Sequence, residues 1–270
     1  NTGKQTIGLR LFSGYYSLAH QETEHEFPVI RALLKISYND GTFQTFGTNE
    51  SWKVTEDFIS LTQRYEKGLG FGKEIWDMDD HPGNWTAADY NDMEWKQPTE
   101  VTTPSGQLTG QPPVGHIIRK IHKPDTIIQL GINRVLLDFG KVITGRIHGK
   151  FKSPHSPSRM NEIRVQYFDH WPHENIYNQT DEWRSSSERA DQRKEVEWKP
   201  IFNLRCFRYV EIEHGNIGED WTFVAEEIGN LRESTVEFSS SNGLLDTLYH
   251  TGLHTLKMLS INGIVTDCSH

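Results

Sequence analysis

The densest group of side chains that could bind a ligand lies in the first half of the chain. It combines aromatic rings, carboxylates and an imidazole: Trp76, Asp77, Asp79, Asp80, His81 and Trp85. Aromatic faces stack on the C–H faces of sugars, while carboxylates accept hydrogen bonds from hydroxyl groups or bind calcium. The aspartates lack the ligand spacing and the glycine of an EF-hand loop, so calcium is only weakly indicated. We favour a structural role, in which the tryptophans fill a β-sandwich core and the acids cover a turn.

A second group, His170, His173 and Glu174, contains side chains of the types that bind zinc. Zinc sites of the helical His-Glu-x-x-His kind need both histidines on one helix face, and Pro172 argues against a helix here. The two cysteines of the sequence are too few for a Cys-rich zinc site or a disulfide framework. We therefore expect no metal site.

The elements that must position these side chains are predicted to be β-strands. Apolar residues alternate with others over residues 30–38, 135–139, 163–167 and 207–209, which places them on one face of a strand. Asn39, Asp40 and Gly41 tolerate the positive φ of a tight hairpin turn. Strands without intervening helices favour an antiparallel sandwich. On the last of these strands we expect Arg208 to pair with Glu211 or Glu213.

The pattern changes near the C-terminus, where Ser240, Ser241 or Asn242 can cap a helix. Apolar residues then recur at three- and four-residue spacing: Leu245, Leu248, Tyr249, Leu253, Leu256 and Leu259. This spacing predicts one amphipathic helix over about residues 242–260. Its apolar face must be buried either on the preceding sandwich or within a helical domain.

Composition excludes some classes of partner. The net charge of -9 argues against a nucleic-acid or anionic-membrane surface, because neither attracts an acidic protein. No run of 18 apolar residues occurs, so we expect no membrane span. The 22 glycines and 11 prolines indicate many short strands joined by turns.

Several motifs follow one another along the chain. In the first half they are the Ile7-Gly-Leu-Arg-Leu-Phe-Ser-Gly-Tyr-Tyr16 stretch, Asp40-Gly-Thr, Gly47-Thr-Asn-Glu-Ser-Trp52, and Glu74-Ile-Trp-Asp77 followed by Trp85 and Trp95. In the second half they are Leu137-Asp-Phe-Gly140 with Gly145, Pro200-Ile-Phe202, Cys206-Phe-Arg-Tyr-Val210, Ser241-Asn-Gly-Leu-Leu245 and Asn262-Gly-Ile-Val-Thr-Asp-Cys-Ser-His270. In this order the motifs resemble those of the inverting α-L-rhamnosidases of bacteria and fungi. The sequence departs from the family pattern at Cys206, which replaces a glycine, at Ser269, which replaces a proline, and between Gly140 and Gly145, where an asparagine is missing.

The resemblance implies a mostly β fold with two antiparallel, jelly-roll-like β-sandwich domains followed by the first helix of an (α/α)6 barrel. We place the first sandwich at residues 1–97, incomplete at its start, a linker at 98–111, the second sandwich at 112–232 and the start of the barrel at 238–270. Without the barrel, we expect Leu245, Leu248, Leu253 and Leu256 to be exposed or covered by a neighbouring molecule.

The resemblance also implies an activity, the release of terminal α-L-rhamnose from glycosides or plant polysaccharides with inversion and without a cofactor. Asp267 matches the sugar-contacting aspartate of the family's catalytic loop, and His270 is a second candidate substrate-binding residue. The general acid and the general base fall beyond residue 270, so the 270-residue chain is expected to be inactive by itself.

Two alternatives stay open. One is a carbohydrate-binding or structural β-sandwich module without catalysis, and the other is a rhamnosyl-uronate lyase of the same architecture. The expected partner is a rhamnose-containing carbohydrate, and a homodimer is left open. The compartment is not fixed by the sequence, although an extracellular or periplasmic location is favoured over a cytoplasmic one.

Overall fold

The computed structural model describes residues 4–11, 29–61, 72–101, 117–152, 161–172, 179–186, 195–214, 220–229, 236–261 and 264–265. The chain forms two compact units. The first comprises Asn1–Phe58 and Asp80–Thr109, and the second comprises Ile59–Asp79 and Gly110–His270. The described residues are mostly β-strand with one α-helix near the C-terminus, which confirms the predicted fold class.

The first unit contains a hairpin of two antiparallel strands, β1 (Leu33–Ser37) and β2 (Phe43–Gly47). At its turn Gly41 has a φ of 86°, which a residue without a side chain adopts freely. The Tyr38 N–H donates to the Thr42 carbonyl over 2.9 Å, and the Asp40 carboxylate accepts the Thr42 N–H, also over 2.9 Å. The turn predicted at residues 39–41 is therefore confirmed.

Aromatic rings hold the remainder of the first unit together. The ring of Trp95 lies 6.2 Å from that of Trp85 and 5.7 Å from that of Tyr90. A Cβ added to Gly8 would lie 2.3 Å from a ring carbon of Trp85, so this close approach requires glycine.

The second unit is built on one ten-stranded sheet. Its strands are β3 (Ile59–Leu61), β4 (Glu74–Asp77), β5 (Ile117–His122), β6 (Thr126–Gly131), β7 (Arg134–Lys152), β8 (Asn161–Phe168), β9 (Thr180–Ser185), β10 (Glu195–Trp198), β11 (Arg205–His214) and β12 (Thr222–Gly229). The order is β3-β4-β9-β8-β11-β7-β12-β5, and β6 and β10 also pair with β7. Among these pairs only β4 and β9 are parallel, so the predicted antiparallel arrangement holds for the others.

The 19-residue strand β7 organises this sheet. Its first residues, Arg134–Asp138, pair with β6 and with β11, and β11 also pairs with Ile143–Gly145. Its later residues pair with β12 and β10. Gly140 interrupts it with a φ of 75°. A Cβ at that position would lie 2.1 Å from Oδ2 of Asp125, so both the backbone conformation and the space require glycine.

The core of the second unit is formed by inward-facing residues of these strands. They include Val135, Leu137, Phe139, Ile143, Ile147, Phe151, Ile163, Val165, Tyr167, Trp183, Trp198, Phe207, Val210, Ile212 and Phe223. The predicted inward faces of β7 and β8 are thus confirmed. Phe207 and Tyr209 were predicted to lie on one face of a strand. The register with β7 shifts between them, and Phe207 is buried whereas Tyr209 is half-buried.

One segment lies in a different unit from the one predicted. Residues 59–79 fell within the proposed first sandwich, but β4 pairs with β9, and β3 pairs with β4, in the sheet of the second unit. The reason is a pairing between residues about a hundred positions apart, which local alternation does not encode. The other domain boundaries stay predictions.

The helix α1 spans Gly243–Leu259, as predicted. Asn242 is the N-cap, and its side-chain oxygen accepts the Leu244 N–H over 3.0 Å. Two strands of two residues, β13 (Ser260–Ile261) and β14 (Ile264–Val265), follow it and pair with each other. None of the helices among the described residues is long and apolar enough to cross a membrane.

One side of α1 packs against β7. Met258 is buried, its sulfur accepts the Thr144 N–H over 3.1 Å, and the His254 imidazole bonds the Val142 carbonyl at 2.8 Å. The leucine face is mostly open. Leu245, Leu248 and Leu256 are 48%, 59% and 44% exposed, as predicted, whereas Leu253 is half-buried.

Candidate functional site

The two residues predicted to bind substrate are Asp267 and His270. Both lie outside the described residues, as do Cys268 and Ser269. Their predicted roles therefore stay predictions.

The aromatic and acidic cluster of the first half is divided between the two units. Trp76, Asp77 and Asp79 belong to the second unit, whereas Asp80, His81 and Trp85 belong to the first. In the second unit Trp76 packs against the core, and Asp77 accepts a hydrogen bond from Nε of Arg184 over 2.9 Å. Asp79 accepts the Ser186 N–H over 2.9 Å. These contacts agree with the favoured structural role.

In the first unit His81 is also part of the packing. Its ring centroid lies 4.4 Å from that of Phe58, and its Nδ1 accepts the Gly83 N–H over 2.9 Å. Burial, and next the nearby charge of Arg10, lower the pKa of His81. The Arg10 guanidinium lies over the rings of both Phe58 and Trp85 and pairs with Asp57. This arrangement stabilises the fold of the unit.

The described residues contain no group of three His, Cys, Asp or Glu side chains that could hold a metal ion. His170 is exposed and contacts Asp169, while His173 and Glu174 are outside the described ranges. An open groove on α1 is lined by Asp246, Thr247, His250, Thr251 and His254. Nε2 of His254 bonds the Val142 carbonyl, so this nitrogen connects the helix to β7.

A buried polar cluster that the sequence analysis did not single out lies in the core of the second unit. We call Glu74, Asp181, Asn203 and Arg205 the Glu74–Arg205 cluster. The side chains of Asp181 and Arg205 are fully buried, and they form an ion pair of 2.8 Å between Oδ1 and Nη2. The same Asp181 oxygen accepts the Glu74 N–H over 3.1 Å and the Asn203 side-chain N–H over 3.2 Å.

The Glu74 carboxylate accepts four hydrogen bonds. Their donors are the backbone N–H groups of Ile201, Phe202 and Asn203 and the indole N–H of Trp76. Burial, and next the charge of Asp181, raise the pKa of Glu74, while these hydrogen bonds lower it in part. The sequence signal for such a cluster was a glutamate, Glu74, next to the apolar residues Ile75 and Trp76 of a strand.

Burial also affects the neighbouring tyrosine. It raises the pKa of Tyr167 well above its usual value, so that phenol stays neutral. The Arg205 guanidinium carbon lies 5.8 Å from the centre of the Tyr167 ring. With Asp181, Tyr167 encloses Arg205 within β8, β9 and β11, which makes this a structural cluster without access for a substrate.

Two further ion pairs correct the prediction for Arg208. Its Nε and Nη2 donate to the two oxygens of Asp138 over 2.8 and 2.9 Å, in the forked geometry that arginine prefers. Glu211, one of the predicted partners, instead accepts from Arg134. Residues three or five positions apart face opposite sides of a regular strand, so spacing along β11 favours neither Glu211 nor Glu213. The partner comes instead from β7, where Asp138 lies opposite Tyr209.

Comparison with known proteins shows which family and which relatives this chain is similar to. Residues 1–120 match the family model described as the alpha-L-rhamnosidase N-terminal domain. A protein of Formosa agariphila named alpha-L-rhamnosidase is 22% identical over 100% of this chain and 29% of its own length. Another of that name, from Alteromonas sp. strain LOR, is 28% identical over 90% of this chain and 26% of its own.

A solved structure shows the same fold. The alpha-L-rhamnosidase from Dictyoglumus thermophilum superposes with a TM-score of 0.74 and 25% sequence identity over 92% of this chain and 27% of that one. The chain therefore spans less than a third of the length of each of these relatives.

Proposed function

We propose that this chain, which resembles the N-terminal part of α-L-rhamnosidases over nearly its whole length, is the non-catalytic front part of an enzyme that releases terminal α-L-rhamnose with inversion. The observation that carries the proposal is the extent of the similarity, which covers 100% of the chain in one relative and 92% in a solved structure. The substrates would be rhamnose-containing glycosides or plant polysaccharides.

The contacts between the family-like motifs support this proposal. Glu74 of one motif bonds the backbone of Ile201 and Phe202 in a second, and Asp138 of a third pairs with Arg208 of a fourth. Motifs that are distant in sequence thus contact one another within the second unit. Their role is to keep a scaffold in shape, which agrees with a chain whose catalytic groups lie elsewhere.

Inverting hydrolysis needs a carboxylic acid to protonate the leaving oxygen and a carboxylate to activate water on the opposite face of the sugar, roughly 6.5–9.5 Å apart. In the proposal both groups follow residue 270. Asp267 binds rhamnose hydroxyls through charge-assisted hydrogen bonds, which are about twice as strong as neutral ones, and His270 lies in the same loop. The proposed reaction uses no organic cofactor.

Within this proposal α1 joins the scaffold to the catalytic domain. Its Met258 and His254 side is fixed on β7, whereas Leu245, Leu248 and Leu256 are available to neighbouring helices of an (α/α)6 barrel. Burial of each leucine would contribute about 1.5–3 kcal/mol, enough for a stable contact between the domains.

The test is Asp267→Asn in the longer protein, assayed on an aryl α-L-rhamnoside. The substitution keeps the shape but turns one acceptor into a donor, so we expect kcat/KM to fall at least a hundredfold with the melting temperature unchanged. Asp220→Asn is the control, because Asp220 is an exposed carboxylate paired with Lys152 and should leave turnover unchanged. The 270-residue chain should show no turnover.

The identity of the product separates the proposal from its alternatives. Proton NMR during turnover should show the β-anomer of rhamnose first, as inversion requires. An unsaturated uronate product would indicate a lyase. Activity within twofold of wild type for Asp267→Asn would show that this loop does not match the family's catalytic loop.

A further inference from the structure

Three consecutive backbone N–H groups converge on one side-chain carboxylate inside the second unit. Ile201 donates to Oε1 of Glu74 over 2.7 Å, and Phe202 and Asn203 donate to Oε2 over 2.9 and 3.2 Å. Trp76, two residues along β4, adds its indole N–H to Oε1 over 2.7 Å. Successive N–H groups in such a concave arrangement form a nest, a backbone structure that binds anions.

The hydrogen bonds indicate that the bound group is an anion. Each oxygen of Glu74 faces two N–H donors, so a carboxyl proton on either oxygen would displace one of these donors. Arg205, the guanidinium of the same cluster, bonds Asp181 instead. Among the described residues no Lys, Arg or His forms an ion pair with Glu74. Its charge is therefore balanced by N–H dipoles.

Glu74 connects a short segment of the chain to the rest of the second unit. It lies in Ile59–Asp79, a segment of the second unit that is flanked in sequence on both sides by segments of the first. The strands of this segment are short, four residues in β4 and three in β3. Backbone pairing of such short strands is weak by itself.

We propose that the turn of residues 201–203 is an anion-binding nest whose resident ligand is the Glu74 carboxylate, and that this internal ligand locks β4 into the second unit. An emptied nest would accept a small external carboxylate in its place. This inference concerns the fold of the described chain and does not rest on the proposed activity.

The experiment is chemical rescue of Glu74→Ala in the 270-residue chain. The substitution leaves buried donors unmatched, so we expect the folding equilibrium constant to fall roughly 10- to 100-fold. Formate should then raise the urea midpoint of Glu74→Ala more than that of wild type, because a ligand that binds only the folded state stabilises it. Formamide, which is neutral and of the same shape, and chloride at equal ionic strength should not.

Asp77→Asn is the matched control on the same strand. Asp77 is paired with Arg184 near the surface, so its replacement should cost less and should show no response to formate. Hydrogen exchange should report faster exchange at residues 74–77 and 201–203 in Glu74→Ala than in Asp77→Asn. A formate effect no larger than that of chloride overturns the proposal.

If Glu74→Ala does not fold, Glu74→Gln decides the question. Its amide N–H₂ would face two N–H donors in the nest, so we expect a lower urea midpoint than for wild type and faster exchange at residues 201–203. A Glu74→Gln protein with wild-type stability and exchange would mean that the carboxylate charge has no part in holding the turn.

Discussion

The second unit buries charges in one region and exposes leucines in another. In the Glu74–Arg205 cluster, Glu74, Asp181 and Arg205 are almost fully removed from solvent. On α1, by contrast, Leu245 and Leu248 are about half exposed, at 48% and 59%. Both regions depart from the usual distribution, since charged residues are rarely buried unless paired, and large apolar patches are rarely exposed.

The difference lies in whether each region has its partners within the chain. Every member of the buried cluster contacts donors or acceptors from neighbouring strands and from the turn at residues 201–203. On the leucine face, by contrast, the described residues leave Leu245, Leu248 and Leu256 48%, 59% and 44% exposed, although Met258 on the same helix is buried. A polar group costs free energy when it loses a partner, whereas an apolar face contributes only when it gains one.

The largest effect should come from removing one charge of the buried cluster. Arg205→Met leaves the buried Asp181 carboxylate without its cation, so we expect a loss of about 3–5 kcal/mol in the free energy of unfolding, measured with urea. Asp181→Asn added to Arg205→Met should recover part of that loss, because the buried charge is then gone. Arg208→Met, at the partly exposed pair, is the control and should cost much less.

The contrast between the regions would be broken if Arg205→Met were no more destabilising than Arg208→Met. In that case the cluster would contain water or relax on substitution, and its internal ion pair would not explain its burial.

Sequence reasoning was most successful where structure is decided locally. The turn at Gly41 and the N-cap at Asn242 follow from the residue types at those positions and from the pattern beside them. The three- and four-residue spacing of the leucines likewise predicted α1 itself. These features involve residues within a few positions of one another.

The features that were missed depend on which strands become neighbours. The pairing of β4 with β9 brings Glu74 beside Asp181, and the pairing of β11 with β7 places Asp138 opposite Tyr209, within reach of Arg208. Neither can be read from alternation, because a shift of one residue in register exchanges the faces of a strand. The substrate-binding roles of Asp267 and His270 rest on resemblance alone.

A smaller effect, and one that depends on pH, is expected at the partly exposed pair. Hydrogen bonds from Arg208 lower the pKa of Asp138 below its usual value of 3.8. A lowered pKa means that the folded state binds the proton less tightly, so the pair contributes stability above about pH 3.8 and loses it as the pH falls through the lowered pKa. Asp138→Asn should therefore be less stable than wild type at pH 7, with the difference shrinking towards pH 3.

Urea midpoints of wild type and Asp138→Asn at pH 7, 4 and 3 measure this difference. Glu213→Gln serves as the control, since that carboxylate was a predicted partner of Arg208 that the structure leaves unused by it. A gap between wild type and Asp138→Asn that stays constant over this range would show that the ion pair adds nothing to stability.

The smallest effect is expected where the chain exposes its leucines. Leu248→Lys on the open face of α1 keeps helix propensity nearly constant, because leucine and lysine are similar helix formers. Since Leu248 is 59% exposed, we expect the free energy of unfolding of the 270-residue chain to change by less than about 0.5 kcal/mol. Met258→Ala, on the seated side of the same helix, should instead cost about 2–5 kcal/mol, because it leaves a cavity beside β7.

The same substitution should behave differently in the longer protein. If helices of a catalytic domain cover this face, Leu248→Lys places a charge in an apolar contact and should lower the melting temperature by several degrees. Measuring Leu248→Lys in both the 270-residue chain and the longer protein therefore shows whether Leu248 lies in an interface between domains or is simply exposed. A loss in the 270-residue chain as large as that for Met258→Ala would mean that residues of this chain already cover the leucine face, which would then not be an interface with a further domain.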